Sequence, residues 1–192
     1  MLTVVKVGGG LARDDGALRA WCAQIAACGA RHPLLVVPGG GAFADAVRAH
    51  DRRFGLRDET AHWMAILAMD QFGWALSDLI PGAVLCHEPV PPPDGVVAVL
   101  LPFALLREHD PLPASWDVTS DSIAAWVAGA AGAARLVLVK AVASSDPAEV
   151  VDPYLPTALR DAGVEAWLIG GEPGRLAELL DTGRTAGTRI TA

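Results

Sequence analysis

The chain has 192 residues, 52% of them hydrophobic and 19% charged, with a formal net charge of −7. That length suits one domain with a substantial core, and the composition excludes a disordered chain. Acids are scattered along the sequence without a basic stripe, which argues against nucleic acid as a main partner yet leaves room for a local cationic pocket that takes a small phosphate.

The segment TVVKV (3–7) reads as a β-branched first strand ending on three glycines. Its apolar run is far too short for a signal or a membrane span, and no other run approaches the roughly 20 residues needed, so a soluble, cytoplasmic protein without a membrane partner is expected. Residues 14–29 carry Leu18, Trp21, Cys22, Ile25 and Ala26 at helical spacing. PLLVVP (33–38) is a second buried strand ending on GGG, with a helix from about Ala42. Residues 57–79 form a longer helix, in which Trp63, Ile66, Leu67, Asp70 and Trp74 recur every three or four positions.

Strands are expected at 83–86 and 96–101, separated by the proline-rich turn HEPVPPPDG. A polar loop with prolines (107–115) leads to WDVTSDSIAAW and a helix over 121–131. A buried strand at 135–142, an irregular stretch, a helix at about 154–162, a strand at 164–169, a helix from Pro173 to about Asp181 and a short TRI strand complete the chain. Near-continuous apolar strands between helices imply a largely parallel sheet covered on both faces. No repeat or linker interrupts the pattern. The expected fold class is therefore α/β, a three-layer α/β/α sandwich forming one domain over residues 1–192.

Two glycine triplets, Gly8, Gly9, Gly10 and Gly39, Gly40, Gly41, each follow a strand and precede a helix. They either make tight turns or bring backbone amides and a helix N-terminus to an anion. Neither matches the common phosphate loop or the dinucleotide fingerprint. Lys6 and Lys140 are the only lysines in the chain, and both lie late in buried strands. A lysine so placed either snorkels past an edge or aims its ammonium at the crevice beyond the strand ends, where it could neutralise a transferring phosphoryl group.

In the stretch Asp117, Thr119, Ser120, Asp121 and Ser122, a helix cap needs only Ser120 or Asp121. Asp121 could in addition sit between the two lysines, with Thr119 and Ser120 facing phosphate or acceptor. His62 and Arg48 are ambiguous between surface or core positions and a site. The tryptophans read as core residues, with Trp116 placed to wall the site. Cys22, Cys28 and Cys86 lack metal spacing and read as reduced thiols, and the histidines show neither a metal pattern nor a nucleophile–base pattern.

The motifs VVKVGGG, PGGGAFADAVR and TSDSIAAWVAG, with the closing GTRI, resemble the amino acid kinase superfamily over essentially the whole chain. Their order together with TAHWMAILAMD, SWDVTSDS and GGEPGRLAELL is most similar to the kinases of methanofuran biosynthesis. The resemblance implies ATP-dependent phosphoryl transfer to a small phosphorylated acceptor, in that branch (5-(aminomethyl)furan-3-yl)methyl phosphate, which becomes its diphosphate. On this chain it implies that Lys6 stabilises the moving phosphoryl group, that Gly8–Gly10 line its path and that Asp121 organises the cations. Gly39–Gly41 and the helix after them would hold the acceptor, and Mg²⁺ would bridge the nucleotide phosphates. Arg48 and His62 are candidate further cations, Asp45 or Asp58 candidate partners of a substrate amine. A homodimer or higher homo-oligomer is expected, with the 57–79 helix offering a face.

One departure stands out. After the strand at 135–142 the superfamily carries a hydroxyl–acid–acid–glycine turn, whereas this chain reads VKAVASSDP. Lys140 then either supplies a second phosphate-neutralising cation, or nucleotide binding is altered or lost. The alternatives are a non-catalytic nucleotide- or anion-binding protein on the same fold, or a kinase for another phosphate or carboxylate acceptor.

Overall fold

The computed structural model describes residues 1–109, 111–142, 146–185 and 187–190. From the first strand, Thr3–Val7 (β1), a 3₁₀ turn at Gly9–Arg13 leads into Asp15–Gly29 (α1), whose start is capped by the Asp14 carboxylate accepting from the Ala17 amide. Leu34–Pro38 (β2), Gly41–Phe54 (α2) and the long Asp58–Leu79 (α3) follow. Next come Val84–Cys86 (β3), Val97–Leu100 (β4), Pro102–His109 (α4), Ser120–Ala130 (α5) and Arg135–Lys140 (β5). Leu155–Ala162 (α6), Glu165–Gly170 (β6), Gly174–Thr182 (α7) and Thr188–Ile190 (β7) close the described chain.

The strands form one sheet in the order β3-β4-β2-β1-β5-β6-β7. Every neighbouring pair is parallel except β6 with β7, an antiparallel edge. Helices cover both faces, giving the expected α/β/α layers. Val4, Leu35, Val37, Leu136 and Leu138 pack with Ile123 and Val127 of α5 and Leu155 and Leu159 of α6. On the opposite face Val5, Val7, Val36, Val137 and Val139 pack with Trp21 and Ile25 of α1 and Leu176 and Leu179 of α7. Helix α3 serves both cores, through Ile66 and Met69 on one side and Phe72 and Leu76 on the other.

The side-chain period of two along a strand decides where the charged residues point. Lys6 shares parity with Val4, and Lys140 with Leu136 and Leu138, so both lysines face the α5 layer. Lys6 pairs with Leu138 in the register, which sets Lys140 one pleat repeat further along the adjacent strand. After β1 the chain places β2, then β3 at the edge and β4 between them on one side, and returns to place β5 on the other side of β1. The C-terminal ends of β1 and β5 therefore flank a topological switch point, where open α/β sheets form their ligand crevices.

Three sequence expectations are corrected. The loop foreseen from 107 begins later, because Pro102–His109 is helical. Pro102 is preset for a first helical turn, and the Asp70 carboxylate on α3 accepts the Phe103 amide at 3.1 Å, a cap supplied from 33 residues away. The first glycine triplet runs into a 3₁₀ turn, Gly9–Arg13, before α1 begins at Asp15. Of the tryptophans only Trp21 is a fully buried core residue, while Trp74 is 61% exposed and Leu67 also points outward. Helix α3 is apolar nearly all round, so its periodicity did not mark which side was covered.

The two glycine turns lie against each other, backbone to backbone. A Cβ on Gly9 would stand 2.3 Å from the Gly41 nitrogen, and one on Gly39 would stand 2.7 Å from the Gly9 nitrogen. Gly41 also needs glycine for its positive φ of 54°. Because backbone cannot retreat as a side chain can, Gly9→Ala is expected to cost about 3 kcal/mol or more, read as a lower urea midpoint at unchanged m-value.

Candidate active site

The Lys6 ammonium, on a residue only 3% exposed, stands 2.7 Å from Asp121 Oδ1 as an ion pair. Lys140 donates to the other oxygen, Oδ2, at 2.6 Å. Asp121 is 1% exposed and sits in the first turn of α5, where the helix dipole favours a negative charge. Burial opposes its ionisation, but the Lys6 and Lys140 ammonium groups outweigh that and hold the carboxyl below its ordinary range. Lys140 moves down to about 8, first because it is buried and second because Lys6 is a like charge beside it, with Asp121 opposing in part.

A residue the sequence reading did not single out, Asp152, completes this unit. Its buried carboxylate accepts from the Thr119 amide and hydroxyl, both at 2.9 Å, from the Ser122 amide at 3.0 Å and from the Ser122 hydroxyl. The Asp152 amide donates in turn to Asp121 Oδ2 at 3.2 Å. The N-cap residue of α5, Thr119, makes no capping bond with its own side chain. Asp152 supplies the cap from across the chain. The available signal was the acid before Pro153 at the close of an irregular stretch, too common a pattern to assign without coordinates.

A cleft of about 250 Å³ opens over this unit. Lys6, Lys140, Gly9, Gly10, Thr119 and Ser120 line it, while Asp121 and Asp152 lie outside the lining and hold Lys6, Lys140 and Thr119 from behind. The pocket thus sees ammonium groups with their carboxylates on the far side. The lining also includes Gly40 and Gly41, which lie against Gly9, together with Asp45 and Arg48 of α2, Asp58 and His62 of α3, and Trp116 of the loop before α5. Ala61, Ala65, Ile66, Met69 and Ile123 give it an apolar wall.

Sequence reasoning gathered residues that the fold divides differently. Lys6, Lys140, Gly9, Gly10, Thr119, Ser120, Gly40, Gly41, Arg48 and His62 all border the cleft. Gly8 and Gly39 do not, because their amides bond to Val139 O and Val7 O, each at 2.8 Å, prolonging the sheet. Thr119 borders the cleft, and its hydroxyl donates to Asp152, which leaves the oxygen's lone pairs as its remaining hydrogen-bonding capacity. His62 is buried with its ring edge-on to Trp63 at 4.9 Å. Part of the altered turn after β5, residues 143–145, lies outside the described residues.

Residues 1–154 match the model of the amino acid kinase family, and the chain belongs to that family. It is similar to the [5-(aminomethyl)furan-3-yl]methyl phosphate kinase of Methanocaldococcus jannaschii, 28% identical over 129 residues, which make up 65% of this chain and 58% of that protein. The match thus spans under two thirds of the curated relative's length. Among solved structures, uridylate kinase from Archaeoglobus fulgidus superposes with a TM-score of 0.73 at 18% identity, covering 99% of each chain. UMP kinase from Ureaplasma parvum gives 0.72 at 14% identity, over 100% of this chain and 99% of that one. Aspartate kinase from Synechocystis gives 0.68 at 15% identity, over 100% of this chain but 40% of that one. These structures share the fold.

Replacing Asp152 by alanine leaves the half-buried donors of Thr119 and the buried donors of Ser122 without their charged acceptor. The expected loss is about 3 kcal/mol of unfolding free energy by chemical denaturation, with Asp152→Asn retaining part of it.

Proposed function

We propose that this chain is a small-molecule kinase that transfers the γ-phosphoryl group of ATP to a phosphorylated acceptor, and that the acceptor is [5-(aminomethyl)furan-3-yl]methyl phosphate or a close analogue. The observation that carries this reading is the convergence of Lys6 and Lys140 on Asp121 at the switch point of the sheet, with both ammonium groups lining the cleft. The relative from Methanocaldococcus jannaschii supports the choice of acceptor.

The chemistry needs little more than positioning and charge. A phosphate monoester is already an anionic nucleophile, so no general base is required. One of its oxygens attacks the γ-phosphorus, the bond to the β–γ bridging oxygen breaks, and ADP departs with that electron pair. Lys6 and Lys140 neutralise charge on the phosphoryl group in flight, and Asp121 keeps both oriented. Gly9, Gly10 and Ser120 border its path. Gly40 and Gly41 flank the acceptor, with Arg48 and His62 toward its phosphate and Asp45 or Asp58 toward its amine.

Mg²⁺ on the nucleotide would add further charge neutralisation. Among the described residues no group of three or more His, Cys, Asp or Glu side chains could hold a metal ion. No helix among the described residues is long and apolar enough to cross a membrane. We place a homo-oligomer contact on the outward face of α3, where Leu67 and Trp74 are exposed.

Purified protein given Mg-ATP and the furan monophosphate is expected to release ADP and form the diphosphate, with Lys6→Ala lowering kcat about a hundredfold or more. Absence of turnover with this acceptor, but turnover with another phosphate or a carboxylate, moves the assignment within the family. ATP binding without transfer to any acceptor defeats the kinase reading.

The rate should also fall as pH rises through about 8, where Lys140 loses its proton. The sign follows from a folded pKa that lies below the ordinary 10.5. Between those values the unfolded chain binds more protons, so the contribution of Lys140 to stability grows with pH while its cationic role is lost. Lys140→Arg should keep the charge and move the limb to higher pH, read from rate–pH profiles.

A further inference from the structure

Three side chains on one face of α2 are linked to the loop that enters α5. Asp45, Arg48 and Asp51 are spaced three residues apart and so lie along one side of the helix. The Trp116 indole Nε1–H donates to Asp51 Oδ2 at 2.7 Å, across 65 residues of sequence. The Arg48 guanidinium carbon lies 4.6 Å from the centroid of the Trp116 ring. One Arg48 nitrogen is 3.6 Å from Asp45 Oδ1. The indole also packs on the small apolar cluster of Ala44, Val47 and Ala68. Each group fixes the next: the carboxylate of Asp51 orients the indole, and the indole face and Asp45 orient the guanidinium.

Asp45, Arg48 and Trp116 border the cleft, whereas Asp51 does not. We infer that Asp51 is a positioning residue for acceptor binding, which acts through Trp116 to hold Arg48 as a preset anion-recognising group in the acceptor wall. The inference rests on the kinase reading above and deepens it. A guanidinium stacked on an aromatic face has lost most of its freedom before ligand arrives, so an anion meets it at a lower ordering cost than a free arginine would impose. The same link reaches the transfer centre. Trp116 is five residues before Asp121, so tethering it to α2 fixes the stretch of loop that delivers Thr119 and Ser120 to the same cleft. Asp51 therefore sets the spacing between acceptor wall and ammonium groups without touching either substrate.

The test is a double-substitution cycle on acceptor use. Asp51→Ala should raise KM for the furan monophosphate about tenfold while KM for ATP stays within about twofold, a split that a general loss of structure would not produce. Trp116→Phe, which keeps a ring but lacks the N–H, should act in the same direction, and adding Asp51→Ala to it should bring no further loss. Asp51→Asn retains an acceptor for the indole and should restore KM to within about twofold of the starting protein. Additive effects of the two substitutions, equal rises in both KM values, or no change in Asp51→Ala overturn the inference. If the unsubstituted protein turns over no acceptor, the kinase reading fails, and calorimetric titration of the same monophosphate decides the role of Asp51. Weakened binding in Asp51→Ala with recovery in Asp51→Asn upholds it. Equal binding in these proteins, or none to the unsubstituted one, sinks it.

Discussion

One buried carboxylate, Asp121, determines how the cleft is built. Two ammonium groups held close together in a protein interior repel each other and resist losing their water. Lys6 and Lys140 tolerate the position because each oxygen of Asp121 takes one of them. Such a buried unit is weak evidence for stability, since an apolar replacement of the whole often costs nothing, while removal of one member leaves an uncompensated charge. Its presence beneath the cleft is therefore better explained by what it presents than by what it stabilises. The cleft meets the two cations, and the anions stand behind them.

The surroundings of Asp121 explain how that geometry is kept. Asp121 would be a poor anchor if the first turn of α5 frayed, and Thr119 does not cap the turn with its own side chain. Asp152 takes over that task and adds a backbone bond to Asp121 itself. The segment following β5 is thereby tied to the helix whose acid pairs with the lysine at the end of β5. Asp121 thus joins Lys140 to Asp152, with β1 contributing Lys6 from the neighbouring strand. A disturbance in any part reaches the ammonium groups through one or two contacts.

Besides the ammonium groups, the cleft is lined by both signs of charge and by an apolar wall. On the kinase reading proposed above, that mixture suits a small acceptor with an organic body, an anionic group and a cationic group elsewhere. A uniformly cationic wall would suit a polyanion equally well. The packed glycine turns matter here for a reason other than amide donation: with no side chain between Gly9, Gly39 and Gly41, β1 and β2 can end side by side and let α2 approach the transfer centre.

Much of the fold was legible in the sequence, because strands buried on both faces must be apolar along their length and the intervening helices must show their covered side. The two lysines were legible for the same reason: a charge inside such a strand conflicts with its surroundings unless something answers it. Their shared face followed once the strands were aligned, since positions 4 and 6, and 136, 138 and 140, have one parity. What answered them required the tertiary structure. Asp121 could be suspected from its crowded polar stretch, but Asp152 could not, because its partners lie about 30 residues away and nothing local distinguishes it from a turn acid. The exposure of Trp74, the helix at Pro102–His109 and the commitment of the Thr119 hydroxyl to Asp152 were likewise decided by which distant groups arrived beside them. Local sequence limits what a residue can do; the partner that folding brings within 3 Å determines which of those options it takes.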